Sequence, residues 1–272
     1  MEYYNAKVQE GIRHIARFIF SSYFKITLTG EENIPKKGPS ILCFNHVHGY
    51  DPFIISSKVG KLKYAMAKKE LFFPGFRNIM RMIGGYPVDS KPEKNNYKEF
   101  SRNYGLLIPR RKHAEFLSEI NQRLLPSDRL SDLSGLDYDL FTEYVLCKGD
   151  SLLIHLPGTR VSNYEEIRHP KKGAARKALE MLDKHGVMVP VIPGGIVYNH
   201  KNKPLLSRKY LLPLHTGVDI SFGLPVTAEQ HYDEYKKNPD RAVHELTDVI
   251  NREIDKRVKE IIRKINNLNS QS

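Results

Sequence analysis

The segment SILCFNHVHGYDPF, residues 40–53, decides the fold of this chain. Its first five residues, Ser40–Phe44, form a short apolar run that is typical of a buried strand. Asp51 and Pro52 favour the start of a helix, because Asp is a good N-cap and proline suits the first helical position. Strand, loop and helix in succession are characteristic of α/β proteins, which place reactive side chains at the carboxyl ends of strands. His46 lies in that loop, so the segment also marks a candidate site.

The rest of the chain continues this alternation of strands and helices. Further strands are predicted at Lys25–Thr29, Gly85–Val88, Ser151–Leu156, Val187–Ile192, Ile196–Tyr198 and Val218–Phe222. Helices are predicted at Phe76–Met82, His113–Leu125, Tyr138–Cys147, Ala174–Lys184 and Asp240–Ile265. We therefore predict an α/β fold with a mainly parallel central sheet flanked by helices, an N-terminal amphipathic helix and a C-terminal helix. The corresponding segments are residues 1–24, an α/β domain over 25–226 with 91–137 as an insertion, and a helical segment over 227–272.

The N-terminal segment Tyr3–Tyr23 has the pattern of an amphipathic helix. Apolar residues recur at steps of three and four, at Val8, Ile12, Ile15, Ile19 and Tyr23. Basic residues lie between them, at Lys7, Arg13 and Arg17. Such a helix either packs on its own domain or lies on a bilayer with its basic residues toward the lipid headgroups, and both interpretations stay open.

The composition is that of a folded globular protein with a large excess of positive charge. Of 272 residues, 43 are Lys or Arg and 31 are Asp or Glu, which gives a net charge of +12. This charge favours nucleic acid, an anionic membrane surface or phosphorylated substrates. We find no nucleic-acid-binding signature, which leaves the latter two. Cys43 and Cys147 are too few for a disulfide scaffold or a four-thiolate zinc site. Since no stretch approaches the ~20 apolar residues of a membrane span and no signal-peptide pattern is found, we expect neither a secreted nor a membrane-spanning protein.

His46 and Asp51 carry the candidate chemistry. Within one helix a spacing of five residues sets two side chains about 140° apart, so a loop between strand and helix is needed to join them. An imidazole held by a carboxylate is a good general base, because the carboxylate fixes its tautomer and stabilises the imidazolium. Three other interpretations stay open: Asp51 as a helix cap, His46 as a structural histidine, and a metal site of His46, His48 and Asp51. The metal pattern is incomplete, since Pro52 stands where a further histidine is usual.

Several blocks in order resemble the glycerolipid acyltransferases of the 1-acylglycerol-3-phosphate (lysophosphatidic acid) acyltransferase type. The first comprises Gly30–Pro39 and a His-four-residues-Asp motif, His46–Asp51. The later blocks are Ala67–Phe72, Pro74–Phe76, Gly84–Asp89, Pro157–Arg160, Lys171–Ala175, Val189–Pro193 and Phe222–Val226. Each block is weak alone, but the ordered set covers about residues 26–226 and is specific.

The resemblance implies transfer of an acyl chain from acyl-CoA or acyl-carrier protein to the hydroxyl of 1-acylglycerol 3-phosphate, a lysophospholipid, giving phosphatidic acid for phospholipid synthesis. It implies no cofactor or metal, and peripheral attachment to the cytoplasmic face of a membrane. By resemblance His46 is the general base and Asp51 its orienting partner. Further residues gain candidate roles: Gly158, Thr159, Arg160, Lys69 and Lys91 in binding the substrate phosphate, and Val191 and Ile192 in lining an acyl tunnel.

The sequence departs from the family pattern in three places. The usual Phe-Pro-Glu before Gly-Thr-Arg is His155–Pro157 here, so the family's glutamate is absent. The usual Asp-Arg of the second block is Asp89–Ser90, with Lys91 next, and His48 stands where a small hydroxyl residue is common. Because these changes concern acceptor recognition, two alternatives remain. One is the same chemistry on glycerol 3-phosphate, another lysophospholipid or another headgroup, and the other is a non-catalytic relative that binds lipid or acyl-CoA.

Overall fold

The computed structural model describes residues 6–60, 62–68, 80, 84–88, 110–124, 130–160, 164, 169–206 and 212–270. Seven α-helices lie in these residues: α1 (Ala6–Tyr23), α2 (Asp51–Lys58), α3 (His113–Arg123), α4 (Tyr138–Cys147), α5 (Gly173–His185), α6 (Tyr232–Lys237) and α7 (Pro239–Ser270). The strands are β1 (Phe24–Thr29), β2 (Ser40–Phe44), β3 (Leu62–Lys68), β4 (Gly85–Val88), β5 (Ser151–His155), β6 (Val191–His200), β7 (Lys203–Pro204) and β8 (Thr216–Phe222).

One sheet contains all of these strands, in the order β1-β8-β6-β2-β5-β3-β4, with β7 paired to β6. The pairs β1–β8, β6–β2, β2–β5, β5–β3 and β3–β4 are parallel. The β6–β8 pair is antiparallel, so β1 and β8 run against the other long strands. The predicted α/β fold with a mainly parallel sheet and flanking helices is confirmed.

Strand β2 lies between β5 and β6, and all five of its residues are buried. An unbroken apolar run is what a strand covered on both faces requires. Its side chains alternate: Ile41 and Cys43 pack in the cluster beneath α3, α4, α5 and α7, while Leu42 and Phe44 pack in the cluster beneath α1 and α2. The carboxyl end of β2 lies beside the carboxyl end of β5. The loop that contains His46 follows there and leads into α2, on the α1–α2 side of the sheet.

Strand β6 carries a glycine beside the last residue of β2. Gly194 pairs with Phe44, and a Cβ at Gly194 would lie 2.1 Å from the Phe44 ring. Because only glycine leaves room for that ring, the sequence of β6 sets the position of the last residue of β2.

Most predicted elements are confirmed with ends within three residues of those expected, but α7 runs five residues past Ile265, β3 was not predicted, and two further points differ. The two strands predicted at Val187–Ile192 and Ile196–Tyr198 form the single strand β6, because Pro193 and two glycines are accommodated inside it. Asp51 is the first helical residue of α2 and not its N-cap, which is Tyr50. Of the predicted helix Phe76–Met82 only Met80 lies within the described residues, as does only part of the 91–137 insertion.

Helix α1 has one side on the domain and one side open. Phe20 and Tyr23 pack against the cluster beneath α2, whereas Ile15, Phe18 and Ile19 are 61%, 74% and 54% exposed. Only part of the predicted apolar face of α1 is therefore buried against the domain. Among the described residues, no helix combines the length and apolar character needed to cross a bilayer.

Candidate active site

The His46 and Asp51 side chains meet in the loop between β2 and α2. Nδ1 of His46 lies 2.9 Å from Oδ2 of Asp51. The carboxylate only accepts hydrogen bonds, so Nδ1 donates the proton and Nε2 keeps its lone pair. The Asp51 side chain is fully buried, while the His46 side chain is 19% exposed. This is the geometry of a general base that a substrate can reach and a carboxylate that it cannot.

The Asp51 carboxylate is held by hydrogen bonds at both oxygens. Oδ2 also accepts from the backbone N–H of Val47 at 2.7 Å and of His48 at 2.9 Å. Oδ1 accepts from the hydroxyl of Tyr198 on β6 at 2.6 Å. These bonds join the loop to the strand beside it and fix the direction in which Asp51 faces His46.

Asp51 is ionised in this setting. Burial opposes its charge, but the hydrogen bond and charge of His46, with the Tyr198 hydroxyl, outweigh burial and hold the Asp51 pKa below its usual range. The carboxylate therefore stays available to orient His46 and to stabilise the imidazolium at neutral pH.

A second histidine packs on the face of the first. The rings of His46 and His155 are stacked, with centroids 4.2 Å apart and planes 23° from parallel. Nδ1 of His155 lies 2.8 Å from the carbonyl oxygen of Asn45 and donates to it. Burial, with the nearby His46, lowers the His155 pKa to about 3, so this ring is neutral at physiological pH.

The loop is tied to β6 through Asn45. Its side-chain amide donates to the carbonyl of Ile196 at 2.9 Å, and its oxygen accepts from the N–H of Ile196 at 2.8 Å. Tyr164 supports the same strand, since its hydroxyl accepts from the N–H of Tyr198 and donates to the carbonyl of Leu205, both at 2.8 Å. The loop that carries His46 is thus bonded to the β6 backbone through the Asn45 side chain, and Tyr164 in turn bonds to the β6 backbone at Tyr198.

The site also has the composition of a small metal centre. His46, Asp51 and His155 each offer a ligand atom, and these atoms lie within 4.8 Å of one another. However, the Asp51 oxygens accept four hydrogen bonds, and the His155 Nδ1 proton is given to Asn45. A cation would have to displace these bonds, so the arrangement fits a proton-transfer dyad better than a metal site. His48, which the sequence suggested as a third ligand, accepts from the N–H of Tyr50 at 3.3 Å instead.

The predicted phosphate-binding turn follows directly after His155. Gly158, Thr159 and Arg160 are exposed, and Gly158 has a φ of 68°, which favours glycine. The side chain of Lys171 packs over Gly158, and its backbone N–H donates to the carbonyl of Leu156 at 2.8 Å. The exposed side chains of Arg160 and Lys171 therefore lie at a turn that begins three residues after His155, while Lys69 and Lys91 lie outside the described residues.

The two residues predicted to line an acyl tunnel face opposite sides of the sheet. Both are fully buried in β6, but Val191 packs toward α5 and α7 while Ile192 packs with Phe44 on the side of the dyad. Side chains alternate along a strand, so the pair cannot line one tunnel. Only Ile192 is on the side where a chain bound near His46 would lie.

Comparison with known proteins assigns the family. The family profile described as Acyltransferase matches residues 25–197, more than half of the chain. The chain belongs to the acyltransferase family. Among curated proteins no match was found. A solved structure similar to this acyltransferase is the 1-acyl-sn-glycerophosphate (LPA) acyltransferase PlsC from Thermotoga maritima, with a TM-score of 0.50 and 18% sequence identity. The match covers 96% of this chain and 79% of that protein, and it supports the fold described above.

Several residues of the acyltransferase site were not predicted from the sequence. Tyr198 is predicted only as part of a strand, His155 as part of a strand and as a departure from the family pattern, and no prediction concerns Tyr164. A signal was available for His155, because it ends a predicted strand parallel to the one before His46, and such ends meet at one sheet edge. The same signal was available for Tyr198, which ends the strand predicted at Ile196–Tyr198 and lies two residues before the end of β6.

Proposed function

We propose that this protein is a peripheral membrane O-acyltransferase that moves an acyl chain from an acyl thioester to the free hydroxyl of 1-acylglycerol 3-phosphate. The observation that carries the proposal is the reachable His46 imidazole, hydrogen-bonded to buried Asp51 in a chain of the acyltransferase family. A protein that only binds lipid has no need of a base held in this way. The product would be phosphatidic acid, a precursor in phospholipid synthesis.

The geometry supports a direct transfer without a covalent enzyme intermediate. The hydroxyl oxygen of the acceptor attacks the thioester carbonyl carbon as Nε2 of His46 takes the hydroxyl proton. The tetrahedral intermediate then expels the thiolate as the carbon–sulfur bond breaks, and His46 returns the proton to the sulfur. Asp51 stabilises the transient imidazolium throughout.

The phosphate of the acceptor is assigned to the turn Gly158–Arg160. Arg160 offers a planar fork of donors that suits a phosphate, and Lys171 and Lys172 are exposed beside the turn. The donor is acyl-CoA or acyl-carrier protein, both of which carry negative charge. The net charge of +12 favours these substrates and an anionic membrane surface.

Membrane attachment is assigned to α1. Its exposed residues Ile15, Phe18 and Ile19 form an apolar strip, and Arg17 is exposed next to it. An apolar strip beside cations is suited to the boundary between headgroups and acyl chains. The same position would bring the dyad near acceptor molecules that reside in the bilayer, at the cytoplasmic face.

The test is acyl transfer by the purified protein in vesicles. The assay uses 1-acylglycerol 3-phosphate with acyl-CoA and, separately, with acyl-carrier protein. We expect His46→Ala to lower the rate by about 100- to 10,000-fold, because it removes the base. His244→Ala is the matched control, since His244 lies on α7 with its side chain 62% exposed and pairs with Asp248. Equal rates for native protein and His46→Ala would contradict the proposal.

A second acceptor is favoured by one observation. Pro157 stands in the third block where the family carries a glutamate, so one acidic group near the phosphate turn is absent. The same chemistry on glycerol 3-phosphate, another lysophospholipid or another headgroup is therefore the alternative. A panel of these acceptors assayed with one donor distinguishes them, and binding of acyl-CoA without turnover on any acceptor would point to a non-catalytic relative.

A further inference from the structure

His155 occupies a position that the reaction itself does not require. It is the last residue of β5 and pairs with Phe44, two residues before His46. Its side chain is on the same face of the sheet as Phe44, which brings its ring under the loop that carries the dyad. We propose that His155 is a positioning residue for the His46 base. The proposal rests on the function given above and adds a residue to it.

The need for such a residue follows from how Asp51 holds His46. One hydrogen bond at Nδ1 fixes an edge of the imidazole but leaves the ring free to swing about that contact, because the second side-chain torsion of histidine is broad. The stacked His155 ring, 4.2 Å away and nearly parallel, blocks this motion from one face. The hydrogen bond to Asp51 at one edge and the His155 ring against one face together determine the direction of the Nε2 lone pair of His46.

His155 is itself anchored well enough to serve as a support. Its Nδ1–H donates to the Asn45 carbonyl at 2.8 Å, and the Asn45 amide makes two bonds to Ile196 in β6. The supporting ring is therefore connected to two strands on either side of β2. A ring fixed in this way transmits the rigidity of the sheet to the base.

The charge state of His155 suits the same role. With its pKa lowered to about 3, the ring stays neutral while His46 gains and loses a proton. A neutral ring adds no like-charge repulsion against the imidazolium that forms on His46 during the reaction. A cationic residue at position 155 would instead repel it.

His155 does not act on substrate directly. Its Nε2 atom is buried and finds no hydrogen-bond partner among the residues that the structure describes. An acceptor or thioester cannot reach an atom that water does not reach. The residue therefore acts through His46, and its effect belongs in the rate of the chemical step and not in substrate affinity.

Three variants separate the ring from the hydrogen bond. His155→Phe keeps a ring for stacking, His155→Gln keeps a donor for Asn45, and His155→Ala removes both. We expect Phe to retain kcat within about threefold, and Gln and Ala to lower kcat by about 10- to 100-fold with KM changed less than about twofold. If the role of His155 were purely structural, kcat would instead fall in step with the thermal stability of the three variants.

¹⁵N NMR of protein labelled at its histidines reports how firmly the His46 ring is held, independently of the activity assay. In the native protein we expect His46 as a single Nδ1–H tautomer whose proton exchanges slowly with water. In Ala and Gln that proton should exchange faster or the signal should broaden, while in Phe it should resemble the native protein. If His46 is unchanged in all three variants, or if Gln retains kcat and Phe loses it, the proposal is overturned. A chain with this NMR response but no acyl transfer would contradict the proposed function and leave the positioning role standing.

Discussion

At the scale of single residues, Asp51 connects more of the site than any other described side chain. Its two oxygens join the base, two loop amides and the Tyr198 hydroxyl.

Replacing Tyr198 by phenylalanine keeps the ring and leaves Oδ1 buried without that donor, which costs about 1–3 kcal/mol. We expect Tyr198→Phe to lower kcat by about 3- to 30-fold and to lower the urea midpoint. Tyr164→Phe is the control, because it removes the bonds to the backbone of Tyr198 and Leu205 without touching Asp51, and it should lower stability with a smaller change in kcat. A native kcat in Tyr198→Phe would show that Oδ1 needs no donor.

The protonation of His155 predicts how stability depends on pH. Its pKa is about 3 in the folded protein against 6.5 for an ordinary histidine, so the unfolded chain binds more protons between these values. The free energy of unfolding therefore rises with pH up to about 6.5 and falls on acidification, by at most about 1.4 kcal/mol per pH unit from this group. His46 and Asp51 face the same ring, and Asp51 titrates below its usual range, so its own contribution is lost only at lower pH.

Urea unfolding at pH 7 and pH 5 checks this. Between these values the native protein should lose about 1–2 kcal/mol more than His155→Phe, which lacks the titrating group. The nine histidines other than His46 and His155 are common to both proteins and cancel in the difference, and His46 stacks on an aromatic ring at position 155 in both. Parallel pH dependence in the two proteins would mean that His155 is not held neutral by the fold.

The dyad could be predicted from the sequence because its members are local. His46 and Asp51 are five residues apart between a strand and a helix, and that short loop limits their separation. His155, Tyr164 and Tyr198 come from more distant segments, and their placement depends on strand order, which a single sequence does not contain. The interpretation of Asp51 as a helix cap correctly predicted that its carboxylate accepts from backbone N–H groups. Those groups belong to residues before the helix and not to its first turn.

At the scale of elements, α1 is the helix whose exposed face most needs explanation. Burying a side chain such as Phe18 in a bilayer gains about 1.5–3 kcal/mol, so Phe18→Asp should weaken binding to anionic vesicles by about tenfold or more. Leu268→Asp makes the same change at a leucine that is 50% exposed on α7 and serves as the matched control. Co-sedimentation with vesicles gives both affinities. If the two variants bind equally well, the strip on α1 is not the attachment site.

Strand direction marks the limit of prediction at this scale. The pattern of apolar residues identifies β6 and β8, but not that they are antiparallel. A parallel return needs a crossover, commonly a helix, and the residues described between these strands, 201–206 and 212–215, contain none. The sequence of this connection gives little indication of the direction of β8.

At the scale of the whole molecule, the net charge of +12 predicts a response to salt. The screening length falls from about 10 Å at 0.1 M to about 3 Å at 1 M. Binding to vesicles that contain anionic lipid should therefore weaken by at least about tenfold between these concentrations. Neutral vesicles are the control and should show weak binding that changes little. Binding to anionic vesicles that stays flat across this range would assign attachment to the apolar strip alone.

The contact between Gly194 and Phe44 gives the molecule an unexpected point of weakness. A single added methyl group on β6 would collide with the Phe44 ring, which precedes the loop of His46 and Asp51, although neither of those two residues would be changed. Overpacking of this kind costs about 1–3 kcal/mol, which is enough to make folding conditional on temperature. Gly194→Ala should thus yield an enzyme that works in the cold and fails on mild heating. A cell that carried this temperature-sensitive variant would lose the reaction on warming, although both residues of the dyad are unchanged.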